Sequence, residues 1–415
     1  MASRTIAFMA GALVVLGSAA LYITSRESSS YANDADPLAG EPALPELENL
    51  ASEELVAVEL TDRDGSVRIE RRGARWILPA KDGYPARTDR VGELMRGLQT
   101  LRLTEPGTAR ADKHARVGLV APSDGGEEAV LVRVELAGGD APAEILLGSA
   151  DTSRSGDALF VRRPGDDQCW VANGRIPRPT SATWWFDARA VAIPTSEVRR
   201  VTIAFEERPD QGYSLRRDDP QGFGFELAPL PEGRVPGEEW KWSGLARTAG
   251  NLTAADVQGT TSFESAAAGS HVEYARFDLE TYEGLRLEAR LARLASDVDG
   301  VPGPTWIRYH ADVVEDGAGP ASPAAPERDL AAARTRADEL NARLDGWWFE
   351  VPAGTAAGYW TPLEELLAPL PEEPAEVPAE EPVEAPGGGD SGGGDSGGEG
   401  ATEAPNEGEA GSSGG

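Results

Sequence analysis

GARWILPA (residues 73–80), GFGFELAP (222–229) and GWWFEVPA (346–353) share one pattern, glycine, two positions, an aromatic, one position, an aliphatic. The strings hold too few reactive side chains to form a site, so their flanks decide what they are. Ahead of the first, LVAVELTDRDG and SVRIERRG alternate apolar with polar residues around Asp64-Gly65, a tight-hairpin dipeptide. Behind it, TDRVGELMRGLQTLRL changes period: Val91, Leu94, Met95, Leu98 and Leu101 fall on one helical face, with Thr88 or Asp89 placed to cap it. The order is strand, strand, strand, helix, and the helix lays its single apolar stripe on the sheet.

The second string sits in the same order. VRRVTIAF (198–205) and GYSLRRDD (212–219) precede it, and a short helical pattern follows between Trp240 and Val257. Around the third, YARFDLET, EGLRLEARL and TWIRYHADVV read as strands. An insertion then carries a helix, ERDLAAARTRADELNARLDG, with Leu330, Ala333, Ala337, Leu340 and Leu344 on one face. TAAGYWTPLEELLAPL closes as a helix broken at Pro362. The expected fold class is α+β, built of β-rich repeats of a strand-strand-strand-helix unit. Gly73, Gly222 and Gly346 are expected to take a positive-φ turn into the last strand. Trp76, Phe225 and Phe349 are expected to be packing anchors under the helices. Two further hairpins, AVLVRVELAGGDAPAEILLG and ALFVRRPGDDQCWVANG, turn at Gly138-Gly139 and Gly165-Asp166.

Composition bounds the rest. TIAFMAGALVVLGSAALYITS (5–25) is uncharged, and at about 1.5 Å per residue it spans a hydrocarbon core of about 30 Å. It reads as a transmembrane signal anchor (1–26) with the bulk of the chain outside; cleavage as a signal peptide is the rival, and no cysteine follows to take a lipid. Residues 27–53 read as a tether. Residues 371–415, acidic and rich in Gly, Pro and Glu without an aromatic or a base, read as a disordered tail. Between them lie a first repeat with extra hairpins (54–195), a second (196–265) and a third with the helical insertion (266–370). The expected location is the inner (cytoplasmic) membrane, single-pass, with the bulk extracytoplasmic or periplasmic.

A net charge of -31 without a basic stripe argues against nucleic acid as a partner. The single cysteine, Cys169, can form no intrachain disulfide and reads as a buried thiol. His114, His271 and His310 are far apart, and His114 reads as a surface or hinge residue. There is no HExxH, and no GxSxG elbow precedes a helix. GGGDSGGGDSGG lacks the Lys-Ser/Thr of a phosphate loop. No catalytic residue, cofactor or metal is assigned, and the protein is expected to be non-enzymatic. Trp184, Trp185, Trp240, Trp242 and Trp347 are candidate interaction aromatics. Asp187 in WWFDAR is either a turn cap or the acid to test first. These residues keep two alternatives open: a cell-wall glycan-binding module and a carboxylate-based hydrolase.

RWILPAKDGYPARTDRVGELMRGLQTLRL, ARVGLVAP, AEILLGSAD, ALFVRRPGDDQCWVA and TWWFDARAVAI together resemble the bacterial domain-of-unknown-function 4340 family, well over 55–203 and more loosely through 367. The resemblance implies an N-terminally anchored envelope protein, encoded beside ABC-type transporter subunits and an auxiliary protein of the gliding-motility type. It carries over no catalytic residues. The implied function is an accessory or scaffold component of an ABC-type transporter assembly, with the transporter subunits as partner. The acidic tail departs from the family's usual pattern.

Overall fold

The computed structural model describes residues 39–370 apart from 139–140, 154–155, 223, 297 and 316–328. The expected span at 5–25, the first part of the tether, Gly139 of the hairpin turn and the tail lie outside the described residues. Among the described residues, no helix is long and apolar enough to cross a membrane.

The fold is α+β, with antiparallel sheets and few helices. The first lobe contains β1 (Leu55–Thr61), β2 (Ser66–Arg72), β3 (Arg75–Leu78), β4 (Tyr84–Pro85), α1 (Thr88–Thr100), β5 (Arg102–Pro106), β6 (Val130–Leu136), β7 (Ala143–Ala150), β8 (Ala158–Arg162) and β9 (Cys169–Asn173). Its nine strands run in the order β4-β3-β2-β1-β6-β7-β8-β9-β5. A connector holds α2 (Ala182–Trp185) and β10 (Arg189–Ala192). The second lobe contains β11 (Val198–Phe205), β12 (Tyr213–Arg216), β13 (Glu226–Ala228), β14 (Arg234–Pro236), α3 (Trp240–Ala249), β15 (Asn251–Thr253), β16 (Asp256–Gly259), α4 (Thr260–Ala267), β17 (Val272–Thr281), β18 (Leu285–Leu294), β19 (Thr305–Val313), α5 (Leu330–Leu344), β20 (Trp347–Val351), α6 (Ala353–Tyr359), α7 (Leu363–Leu366) and β21 (Leu367–Pro369). Its eight-stranded sheet has the order β13-β12-β11-β17-β18-β19-β20-β16, and β10–β15 and β14–β21 form two small ribbons.

Local chemistry accounts for most of these elements. The β1–β2 turn is built on Asp62, whose carboxylate accepts the N–H groups of Asp64 at 2.8 Å and Gly65 at 3.0 Å. Helix α1 buries Val91, Leu94, Met95 and Leu98 against the first sheet. Neither Thr88 nor Asp89 caps it: Thr88 is already helical, and Arg87 holds the cap position without a side-chain cap bond. The start is set from the connector instead, because the Arg87 N–H donates to Trp185 O at 2.6 Å and Ala86 bridges to Phe186. Helix α5 is capped by Asp329 and turns Ala333, Ala337, Leu340 and Leu344 inward.

Each lobe opens with a three-strand meander at a sheet edge, β1-β2-β3 and β11-β12-β13. The third string departs from that pattern. GWWFEVPA forms β20, which lies inside the sheet between β19 and β16. The stretches read as a second and a third repeat therefore share one sheet, because β17 pairs directly with β11, the innermost strand of the meander. Gly73 (φ 63°) and Gly346 (φ 89°) adopt the left-handed turn, whereas Gly222 does not. Gly222 closes a turn by donating its N–H to Asp219 O at 2.9 Å.

The described part of the tether is also corrected. Gly40 N–H donates to Leu103 O at 2.7 Å, and Ala43 N–H donates to Leu101 O at 2.9 Å. Ala43, Leu44 and Leu47 are buried in the main core. Leu44, Leu47 and Leu50 recur every third residue and so present one apolar side, which the high Pro and Glu content of the run obscured. We predict that Leu44→Ala and Leu47→Ala each lower unfolding stability by about 2–5 kcal/mol in urea titrations; a tether position would give a change within about 0.5 kcal/mol.

Candidate functional site

The lobes meet through the loop and short strand that follow β3. Lys81 Nζ lies 2.7 Å from the Asp256 carboxylate of β16. Asp82, held in the left-handed region at φ 55°, accepts the N–H of Gly259 at 2.8 Å and the Ser262 hydroxyl at 2.6 Å. Two residues on, Tyr84 stands edge-on to Trp347 (4.8 Å), Phe186 (5.4 Å) and Phe349 (6.1 Å). Burial, assisted by the charge of Asp187, pushes its phenol up to about 12. Asp256 and Glu350 face each other across β16 and β20. Burial first, and the Asp256 charge second, raise the Glu350 carboxyl, with Lys81 opposing.

A concavity suited to a ligand lies at the end of β18–β20. A groove of about 560 Å³ is walled by Val301, Pro302, Pro304, Val351 and the alanines of α6, and Trp360 also lines it. Its ring is fixed: Nε1 donates to Thr305 Oγ1 at 3.0 Å, and the Arg293 guanidinium lies 4.4 Å from its centroid. Arg293 is in turn ion-paired to Glu273. The groove is lined mainly by apolar surface together with Arg293, Glu350 and Glu365, which is the composition of a binding cleft. Sequence reasoning passed over Trp360 and Arg293, because 67 residues separate them in the chain and neither lies in a motif.

The five candidate aromatics do not form one surface. Trp185 is fully buried and donates to Pro179 O at 2.8 Å, and Trp242 is buried and donates to Phe225 O at 3.2 Å. These two are packing residues and not interaction aromatics, because each indole is buried and its N–H is already spent on an internal carbonyl. Trp184 is half-buried beneath the Arg90 guanidinium at 4.4 Å. Trp347 is half-buried against Tyr84. Trp240 is 68% exposed. As for the anchors, Trp76 is half-buried and shares a hollow with Thr88, Val91 and Met95 of α1. Phe225 is buried under the Arg217 guanidinium, and Phe349 is fully buried at the joint.

The remaining candidates sit as follows. Asp187 is exposed and accepts the Arg189 N–H at 3.1 Å, as a turn cap does. His114 is buried, not a surface or hinge residue: its Nε2 lies 2.9 Å from Asp167 O, because the short helix at Ala111–Val117 folds back on the β8–β9 turn. His271 and His310 are exposed beside Glu207 and Asp345. Cys169 is buried, its sulfur accepts the Thr108 N–H, and burial pushes the thiol up. Among the described residues, no group of His, Cys, Asp and Glu is placed to hold a metal ion.

Residues 76–256 match a family model described as Domain of unknown function (DUF4340). The match runs from the tryptophan of the first string to the joint aspartate of β16. No curated protein and no solved structure matches the chain.

Glu350 gives a pH prediction. Its folded-state pKa is raised, so folding takes up a proton in the window above the ordinary value of 4.5, and stability is lost as pH rises through that window. Glu350→Gln should therefore melt higher than the parent at neutral pH, with the difference vanishing below about pH 4 in a series of thermal scans.

Proposed function

We propose, taking residues 76–256 as a domain of the DUF4340 family, that this protein is a non-enzymatic, single-span protein of the inner membrane. Its extracytoplasmic lobes hold the subunits of an ABC-type transporter as an accessory or scaffold component. The observation that carries the reading is the apolar groove at the end of β18–β20, with Trp360 held against Arg293 and Thr305 in its lining. A fixed, mainly apolar cleft with a few charged side chains in its lining has the mixed character of a protein interface. The uncharged run at 5–25 supports the anchor. We also read the two meander-and-helix openings as one strand-strand-strand-helix unit used twice. The resemblance supports the transporter as partner. The glycan reading retains Trp240 as its exposed ring and lacks a paired platform for a sugar.

The test is crosslinking in intact cells from a tag placed after residue 26. Transporter subunits should be captured by the parent chain, and their yield should fall about tenfold for Ala357→Arg, which puts a charged side chain on the groove wall. Capture of no membrane protein by the parent, or equal capture by the variant, overturns the reading.

A further inference from the structure

We propose that the outer face of the second sheet is a docking surface for a helix bearing an acidic stripe on a protein partner. This deepens the protein-binding reading above and rests on it. Arg276 of β17 lies directly opposite Arg290 of β18, and Arg290 directly opposite Arg308 of β19, so three arginines form one lateral row. Their strand neighbours Ala275, Phe277, Ala289, Leu291, Ile307 and Tyr309 are buried, which turns all three arginines to the same open face. They border a hollow of about 400 Å³.

The first sheet supplies an internal comparison. Its open face carries the row Arg68, Glu59, Arg133, Glu144, in which the sign alternates at every strand. Arg68 there is bidentate to Glu135 at 2.8 and 2.9 Å and also reaches Glu70. On the second sheet the row Glu280, Arg286, Asp312 alternates in the same way, but the row Arg276, Arg290, Arg308 does not. Arg276 reaches Glu288 at 3.2 Å and Asp278 at 3.5 Å, while Arg290 is 3.7 Å from Glu206 and spreads over the Tyr274 ring. Among the described residues, no carboxylate pairs with Arg308. Like charges placed directly opposite cost stability, and this chain carries a surplus of acids that could have neutralised them.

Spacing selects the partner. Strands lie about 4.8 Å apart, so the row spans about 10 Å. A helix rising about 1.5 Å per residue sets carboxylates at i, i+3 and i+7 over about the same length. An extended strand repeats its side chains on one face every 6–7 Å and falls out of register. The next row, Asp278, Glu288 and His310, is acidic at two positions. Its two carboxylates are already engaged by Arg276 and Arg286, so the arginine row selects the partner.

The experiment uses the full chain in nanodiscs and a fluorescent stapled helix with glutamates at i, i+3 and i+7, beside its glutamine counterpart. The glutamate helix should bind at least about tenfold more tightly than the glutamine helix, and the double variant Arg290→Glu/Arg308→Glu should lose at least that factor. Arg133→Glu on the first sheet should leave binding unchanged. Arg308→Glu alone should melt no lower than the parent, because the new carboxylate meets Arg290. Equal binding by the double variant, or a marked fall in melting temperature for Arg308→Glu, overturns the proposal. Tighter binding of inorganic polyphosphate than of the helix reassigns the row to phosphate and overturns it as well. Undiminished capture of transporter subunits by the double variant in cells removes the row and leaves the groove reading intact; peptide binding without any cellular capture does the reverse.

Discussion

Tyr84 is the contact on which the rest of the molecule depends. Its ring stands edge-on to Phe186, Trp347 and Phe349, which come from the connector and from β20. Edge-to-face packing fixes direction as well as distance, so these rings set the orientation of one sheet against the other. The polar contacts of Lys81 and Asp82 with β16 and the start of α4 lie on the same short loop. The loop can reach them because Asp82 occupies a left-handed conformation that costs a non-glycine residue strain. The result is one continuous core drawn from both sheets.

Much of this architecture is legible in the sequence wherever its cause is local. The Asp62-to-Gly65 turn, the stripe of α1 and the Asp329-capped α5 follow from neighbouring residues. What is not legible has a distant cause. Arg87 rather than Thr88 precedes α1 because Trp185 and Phe186 hold the chain there. GWWFEVPA resembles the earlier strings in composition, yet its sheet partners are set by β16 and β19 on either side. Of the candidate site, tryptophan identity could be read but burial could not. Trp184 and Trp185 are adjacent, and only the second finds a backbone acceptor inside. The arginine row was invisible because 14 positions separate Arg276 from Arg290 and 18 separate Arg290 from Arg308.

The titrating groups that depart from their ordinary values trace to packing and pairing. Burial raises the phenols of Tyr213, Tyr309 and Tyr359. Burial also lowers Arg178, whose guanidinium is spent on the carbonyls of Leu147 and Gly148. Arg68 is raised chiefly by its bonds to Glu135 and then Glu70, an ion network on an open sheet face. Each shift is the consequence of a scaffold that buries large rings and bridges strands with charge. Because exposed pairs contribute about 1 kcal/mol or less, the alternating face of the first sheet serves solubility and register more than stability.

The groove and the arginine row belong to the same pair of strands, and this bears on how a partner would approach. Arg293 and Thr305, at the groove, are cross-strand partners, and so are Arg290 and Arg308, three residues further along β18 and β19. At about 3.3 Å per residue the two features are about 10 Å apart along the strands. The connection that joins β18 to β19 exposes Val298 and Val301, at 60% and 54%, beside the groove. Apolar side chains at a strand connection cost solvation unless something covers them. Three is an odd number of residues on an alternating strand, so Arg293 and Thr305 belong to the core side of the sheet and Arg290 and Arg308 to its open side. The groove and the row therefore offer a partner two separate contacts, one apolar at the strand ends and one charged on the open face, and occupying either leaves the other accessible.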